Sequence, residues 1–211
     1  MWSSLCSESL AQSPMDELLE LSLSLLVSLS LECVTSIAKD INMTRINLVH
    51  PSELTDQHLF AEFREIKMIP KSLRRSLRAA WQKEFDKNDS SNFSEERRKL
   101  AIKAVLEKIP KAYTLNTGHV SFFYDKGAYL KARYALLRIE LMERGINFNY
   151  DSLLDDAKVY DELPSAFHKY YHATDEALSI VRKRIAEKIE MKVRWYRMRG
   201  VQLSSNPFSE Y

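Results

Sequence analysis

Gln57, Ala61 and Arg64 recur at intervals of four and three residues, and His58 and Glu65 stand beside them. On a helix, that spacing gathers an amide, a guanidinium, an imidazole and a carboxylate around one small side chain. A ligand can approach such a face closely, because alanine leaves room that a larger residue would fill. Taken alone, the same face also reads as ordinary solvated helix surface. Other chemistries lack their residues. The chain has no glycine-rich phosphate loop, no G-x-S-x-G elbow and no HExxH pair. The five histidines (His50, His58, His119, His168, His172) show no metal-ligand spacing and read as hydrogen-bonding or surface residues. No metal and no other cofactor is expected. Both cysteines, Cys6 and Cys33, lie in the first 42 residues, so the remainder can form neither a disulfide nor a cysteine zinc site. A cytoplasmic protein is expected.

The elements that must position these residues read as helices. Only four glycines and six prolines occur in 211 residues, too few for a strand-and-turn architecture. The expected fold class is all-α, a single compact helical domain with irregular loops and an extended C-terminal tail. Pro51-Ser52-Glu53 opens the first helix, with Ser52 as the expected N-cap. Leu59, Phe63 and Ile66 give it an apolar face. Pro70 starts a basic segment, Lys71–Phe85, carrying Arg74, Arg75, Arg78 and Lys83. Asn88–Ser94 is a polar loop, and a helix from Ser94 to about Lys108 follows. Thr114–Lys126 is aromatic and irregular at first. Tyr129–Arg144 is a long helix stopped by Gly145, and Asp175–Lys192 is the last strong one.

Charge is distributed unevenly. The chain has 31 basic and 29 acidic residues; residues 1–42 hold one and six of these, which leaves 30 and 23 for 43–211, a net +7. A small basic domain suits a polyanionic partner. Basic helices with interleaved aromatics, ending in Trp195-Tyr196-Arg197, fit DNA, with cations on phosphates and rings near bases. Residues 1–42 differ in kind. Serine and leucine supply ten residues each, and the stretch LELSLSLLVSLSLECV matches neither a helix stripe nor a clean amphipathic strand. It lacks the basic start of a secretory signal and is too interrupted by polar residues for a membrane span.

Three blocks carry a resemblance. Residues 43–66 read MTRINLVHPSELTDQHLFAEFREI, residues 118–126 read GHVSFFYDK, and residues 184–200 read RIAEKIEMKVRWYRMRG. In that order they resemble the start, the central motif and the C-terminal helix and tail of the phage endonuclease V family, pyrimidine-dimer DNA glycosylases that are also abasic-site lyases. The resemblance spans nearly all of 43–211. It implies base excision repair of ultraviolet-damaged double-stranded DNA, with base flipping at the lesion, by a monomer that needs no membrane and acts at the nucleoid.

The resemblance also assigns roles. Removal of Met43 would expose the α-amino group of Thr44 as the nucleophile, and Glu65 matches the catalytic carboxylate. Arg45, Gln57, His58 and Arg64 match DNA-contacting residues near the lesion. Arg184 and Lys188 match basic positions on the last helix. Trp195 and Tyr196, followed by Arg197, match the aromatic tail associated with damage recognition. Two departures matter. Met68 stands where the phage enzyme has a basic residue, with Lys67 as the candidate substitute, and residues 67–117 are longer than their phage counterpart. An attached segment 1–42 would leave Thr44 without a free amine, so 43–211 is expected to be the native domain and 1–42 no part of the mature enzyme. The competing readings are a non-catalytic DNA-binding module of the same fold and a helical protein-interaction domain.

Overall fold

A computed structural model of the chain describes residues 46–86, 95–115 and 117–210. Thr44 and Arg45, the extension 1–42 and the polar loop Asn88–Ser94 lie outside the described residues. The domain is mostly helical, as its glycine and proline content predicts. Among the described residues six α-helices follow in order: α1 (Asp56–Glu65), α2 (Met68–Asp86), α3 (Glu95–Leu106), α4 (His119–Phe122), α5 (Gly127–Glu143) and α6 (Asp175–Met191). The tail closes with a two-residue antiparallel ribbon, β1 (Arg197–Met198) and β2 (Val201–Gln202).

The start of α1 differs from the sequence expectation. Pro51–Glu53 is a separate 3-10 turn capped by His50, and Thr55 rather than Ser52 caps α1, its hydroxyl accepting from His58 N at 3.3 Å. Leu54, wholly buried between the two, is the reason, because it ties the turn into the core and breaks the helix there. Two later boundaries follow expectation, the start of α6 at Asp175 and the stop of α5 before Gly145. Thr174 caps α6 by accepting from Ala177 N at 3.2 Å, and Gly145 leaves α5 at φ +65°, a conformation that suits glycine.

The apolar face read from α1 is buried. Leu59, Phe63 and Ile66 sit in the core, where Phe63 stacks on Tyr134 of α5 at 5.2 Å and meets Phe148 edge-on at 5.0 Å. Each such side chain contributes about 1.5–3 kcal/mol by leaving water. Phe122 and Phe123 of the central motif are buried with Tyr160 and Phe167. The close contact needs Gly127 at the start of α5, since a Cβ there would come within 2.8 Å of both the Phe167 carbonyl oxygen and the Tyr160 ring. Helices α2 and α3 pack together, and α1 packs on α5. No helix among the described residues is long and apolar enough to cross a membrane.

Candidate active site

Helix α5 buries two charged residues among its apolar ones, Arg133 and Glu140. Arg133 grips the buried carboxylate of Glu62 on α1 with both edges of its guanidinium, Nε to Oε1 at 2.8 Å and Nη2 to Oε2 at 3.0 Å. Burial opposes its charge, but Glu62 outweighs burial and holds the Arg133 pKa above its ordinary value. The pair reaches the chain ahead of α1. Arg133 Nη1 donates to the Val49 carbonyl at 2.6 Å, and Asn47 Nδ2 donates to Glu62 Oε2 at 2.9 Å. Ile46 is held from the other side. Its N–H donates to His119 Nε2 at 2.9 Å, and its carbonyl accepts from the Tyr113 hydroxyl at 2.9 Å. Since Nε2 accepts, Nδ1 carries the proton and donates to the Thr114 carbonyl at 2.7 Å, which makes His119 a neutral structural imidazole.

Residues 46–49 are thus fixed against the side of α1. They run opposite to the helix, since His50 caps the turn before it and Asn47 already reaches Glu62, seven residues beyond Thr55. Glu65 ends α1 one turn further on, half-buried. Arg64 beside it is exposed, its guanidinium 6.0 Å from the Phe60 ring centre. Lys67 lies over the Phe63 ring at 5.2 Å and donates to Ser152 Oγ at 2.6 Å.

The first turn of α1 receives the tail. The Gln57 side chain bonds the backbone on both sides of Tyr196, donating to the Trp195 carbonyl at 2.7 Å and accepting from Arg197 N at 2.9 Å. His58 stacks on the Tyr196 ring at 4.8 Å. Burial first, and the Lys188 ammonium second, pull the His58 pKa down to about 4, so the ring is neutral at physiological pH. Asp56 accepts from Arg199 N at 3.0 Å and Gly200 N at 2.8 Å, in the turn joining β1 to β2. It also pairs at 2.8 Å with Arg144, whose buried guanidinium gathers Glu140 and the Leu54 carbonyl too.

The structure therefore divides the predicted residues. Gln57, His58 and Tyr196 form the dock of the tail and hold each other. Trp195 stands out from that dock, 59% exposed, with its ring edge-on to Tyr196 at 4.8 Å. Arg197 is exposed, Lys188 is half-buried, and Arg184 pairs with Glu187 at 3.3 Å on the same helix. From Gln57 to Glu65, α1 rises about 12 Å. An exposed indole at one end, the small Ala61, and Arg64 with Glu65 at the other thus follow one side of one helix. Sequence reasoning missed Asn47, Glu62, Tyr113 and Arg133, and took His119 for a generic histidine. Partners 71 residues apart leave no local spacing to read. Arg199 and Asp56 were missed for the same reason.

The family model described as pyrimidine dimer DNA glycosylase matches residues 43–154, from Met43 through α1 and α5 to the loop behind them.

Proposed function

The chain belongs to the pyrimidine dimer DNA glycosylase family, and from that premise we propose that it excises ultraviolet-induced pyrimidine dimers with the α-amino group of Thr44 as nucleophile and Glu65 as the catalytic carboxylate. The observation that carries this reading is the fixing of residues 46–49 along α1. Asn47 of that segment bonds Glu62, about one turn before Glu65 on the same helix, and Ile46 is bonded by His119. Two peptide links span at most about 7 Å, so covalent geometry alone keeps an amine two residues before Ile46 within that distance of the anchor.

The chemistry suits the group. A chain-terminal amine has a pKa of about 7.7–8.0 against about 10.4 for lysine, so a useful share is unprotonated at neutral pH without burial. The amine attacks C1′ of the sugar at the 5′ nucleotide of the dimer. The N-glycosidic bond breaks, its electron pair leaves with the base, and nitrogen and C1′ form an imine as the sugar ring opens. The imine accepts electrons, so loss of a proton from C2′ expels the 3′ phosphate in a lyase step that needs no metal. Glu65 stabilises the cationic sugar and relays protons. Arg45, Arg64 and Lys67 meet phosphates near the lesion. Trp195, held out by Gln57 and His58, and the basic Arg184, Lys188 and Arg197 complete the grip on a kinked duplex. A damaged, distorted step costs less to unstack, which favours base flipping there. The enzyme acts as a monomer in the cytoplasm, and residues 1–42 are absent from its active form.

Borohydride trapping on a dimer-containing duplex tests the proposal. Protein beginning at Thr44 should give a covalent adduct. The 1–211 chain and terminally acetylated protein should give none, because an amide nitrogen cannot form the imine. An adduct of equal yield with the 1–211 chain would refute Thr44 as the nucleophile. DNA binding without any adduct would leave a binding module.

A further inference from the structure

Helix α2 carries a second charged feature, which starts about one turn beyond Lys67 and shares a cavity with it. Lys71, Arg74, Arg75 and Arg78 recur at intervals that place them along one side of the helix, and all four are exposed. None of them has a hydrogen-bond or ion-pair partner among the described residues. The row borders two cavities of about 570 Å³ and 630 Å³. Arg74, Arg78 and Ala157 line both, so the two form one cleft. Its length on α2, from Lys71 to Trp81, is about 15 Å, room for about three to five nucleotides of one strand.

The floor and far wall differ from the rim. Leu154 and Val159 are buried under it, with Leu77, Ile102 and Leu163 alongside. Trp81 lines the end nearest α3. There Arg98 crosses to the 160s loop, donating to the Glu162 carbonyl at 3.0 Å. Asp155, Asp156 and Glu162 stand on the wall opposite the arginines. The α2 cations thus border one side of the cleft, the 155–162 loop supplies its carboxylates, and half-buried Trp81 lines the end shared with α3.

We propose that this cleft binds single-stranded DNA, its phosphates along Lys71, Arg74, Arg75 and Arg78 and its bases against Trp81 and the apolar floor. A duplex presents phosphates and sugars on its flank and hides its base faces, so it would leave that floor and the indole unused. A single strand offers both surfaces at once, the pairing of cationic rim and aromatic platform that such sites require. The cleft is built from α2, α3 and the 154–163 loop, within and beside the segment 67–117 that departs from the phage pattern. The proposal rests on DNA being the substrate class, but not on the amine chemistry.

The test is fluorescence anisotropy of a labelled eight-nucleotide oligothymidylate and of an undamaged duplex, with the 1–211 chain, over a range of salt. Arg78→Glu should weaken single-strand binding at least tenfold and reduce the salt slope by about 0.7 or more, one phosphate contact on a single strand. Trp81→Ala should weaken it by about tenfold, within the range for loss of one base stack. The salt slope and duplex affinity should stay unchanged, and Trp81→Phe should restore most of the binding. If Trp81→Ala melts early, Trp81→Leu replaces it, keeping apolar bulk without a ring. Wild-type affinity for Trp81→Leu would overturn the proposal. So would inorganic polyphosphate displacing the oligonucleotide as well as unlabelled oligonucleotide does, since the site would then read charge alone. Tighter binding of the duplex through the same residues would also overturn it. These readouts involve no dimer and no trapping, so they can fail independently of the glycosylase reading.

Discussion

Arg133→Met isolates the central ion pair. In the folded protein the Glu62 side chain is fully buried, and Arg133 supplies two of its hydrogen bonds while also satisfying the Val49 carbonyl. Methionine fills much of the same volume but leaves a carboxylate without its counter-charge. Removing one partner of a buried pair costs about 3–5 kcal/mol. For a domain of this size each kcal/mol lowers Tm by about 2–4 °C, so circular dichroism melting at pH 7 should show a fall of roughly 6–20 °C. The double variant Glu62→Leu/Arg133→Met removes the orphaned charge and should recover more than half of that loss. Its borohydride trapping rate should nevertheless stay at least about tenfold down, the loss expected from a small misplacement of a reacting group, because Asn47 and Val49 no longer have their anchors. A single-variant shift under about 3 °C would refute the electrostatic account, and wild-type trapping by the double variant would refute the positioning role.

Glu65→Gln, which keeps the shape and removes the charge, should lower glycosylase turnover by about 10²–10⁴-fold with affinity for dimer-containing DNA unchanged. Equal losses in both would mark Glu65 as a binding residue. His58 makes stability depend on pH. Its pKa is about 6.5 unfolded and about 4 folded, so the unfolded state takes up the proton first and stability falls as pH drops from about 6.5 to about 4, by up to about 3 kcal/mol. His58→Phe, still able to stack on Tyr196, should flatten that part of the urea-midpoint profile; parallel profiles for the two proteins would rule the imidazole out. Gly127→Ala should cost about 1–3 kcal/mol by driving a methyl group against the Phe167 carbonyl and the Tyr160 ring, and a melt within a degree of wild type would show that the 160s loop yields.

What could be read in the sequence was what is local. Leu59, Phe63 and Ile66 declared the buried face of α1 through spacing, and Gly145 declared the end of α5. Ser52 misled because Pro51-Ser52-Glu53 has every sign of a helix start, and only burial of Leu54 divides the turn from the helix. At the site, the spacing of Gln57, Ala61 and Arg64 gave one helix face, and the resemblance gave roles along it. The chain's charge pattern could not show that Glu62 on that helix is buried while Glu65 is not, because the difference is made by Arg133, 71 residues away. Nor could it show that Gln57 and His58 spend their side chains on the tail, since Trp195 and Tyr196 arrive from about 138 residues further on. Long-range polar pairs decided the site, and they carry no periodicity.

The proposed nucleophile at a chain end raises a mechanical problem. Chain termini are usually loose, whereas a reacting group must be held to within about 0.5 Å of its productive place. A lysine borrows its position from the helix or strand that bears it, but an α-amine has only the residues that follow. Here the backbone N–H and carbonyl of Ile46 are both engaged by buried side chains, and the next residue reaches a buried ion pair. Such anchoring two residues after Thr44 is costly to arrange and is explained if that end must not move. This anchoring starts at Ile46, beyond the extension. Under the proposed chemistry, geometry and reactivity are separate requirements, one for folding and the other for a free terminus. The 1–211 chain should bind dimer-containing DNA within about threefold of the protein that starts at Thr44, a difference of about 0.65 kcal/mol, and fail only in trapping. A loss of affinity beyond tenfold would instead place residues 1–42 over the DNA surface, and the terminus would then be regulated by occlusion as well as by its amide.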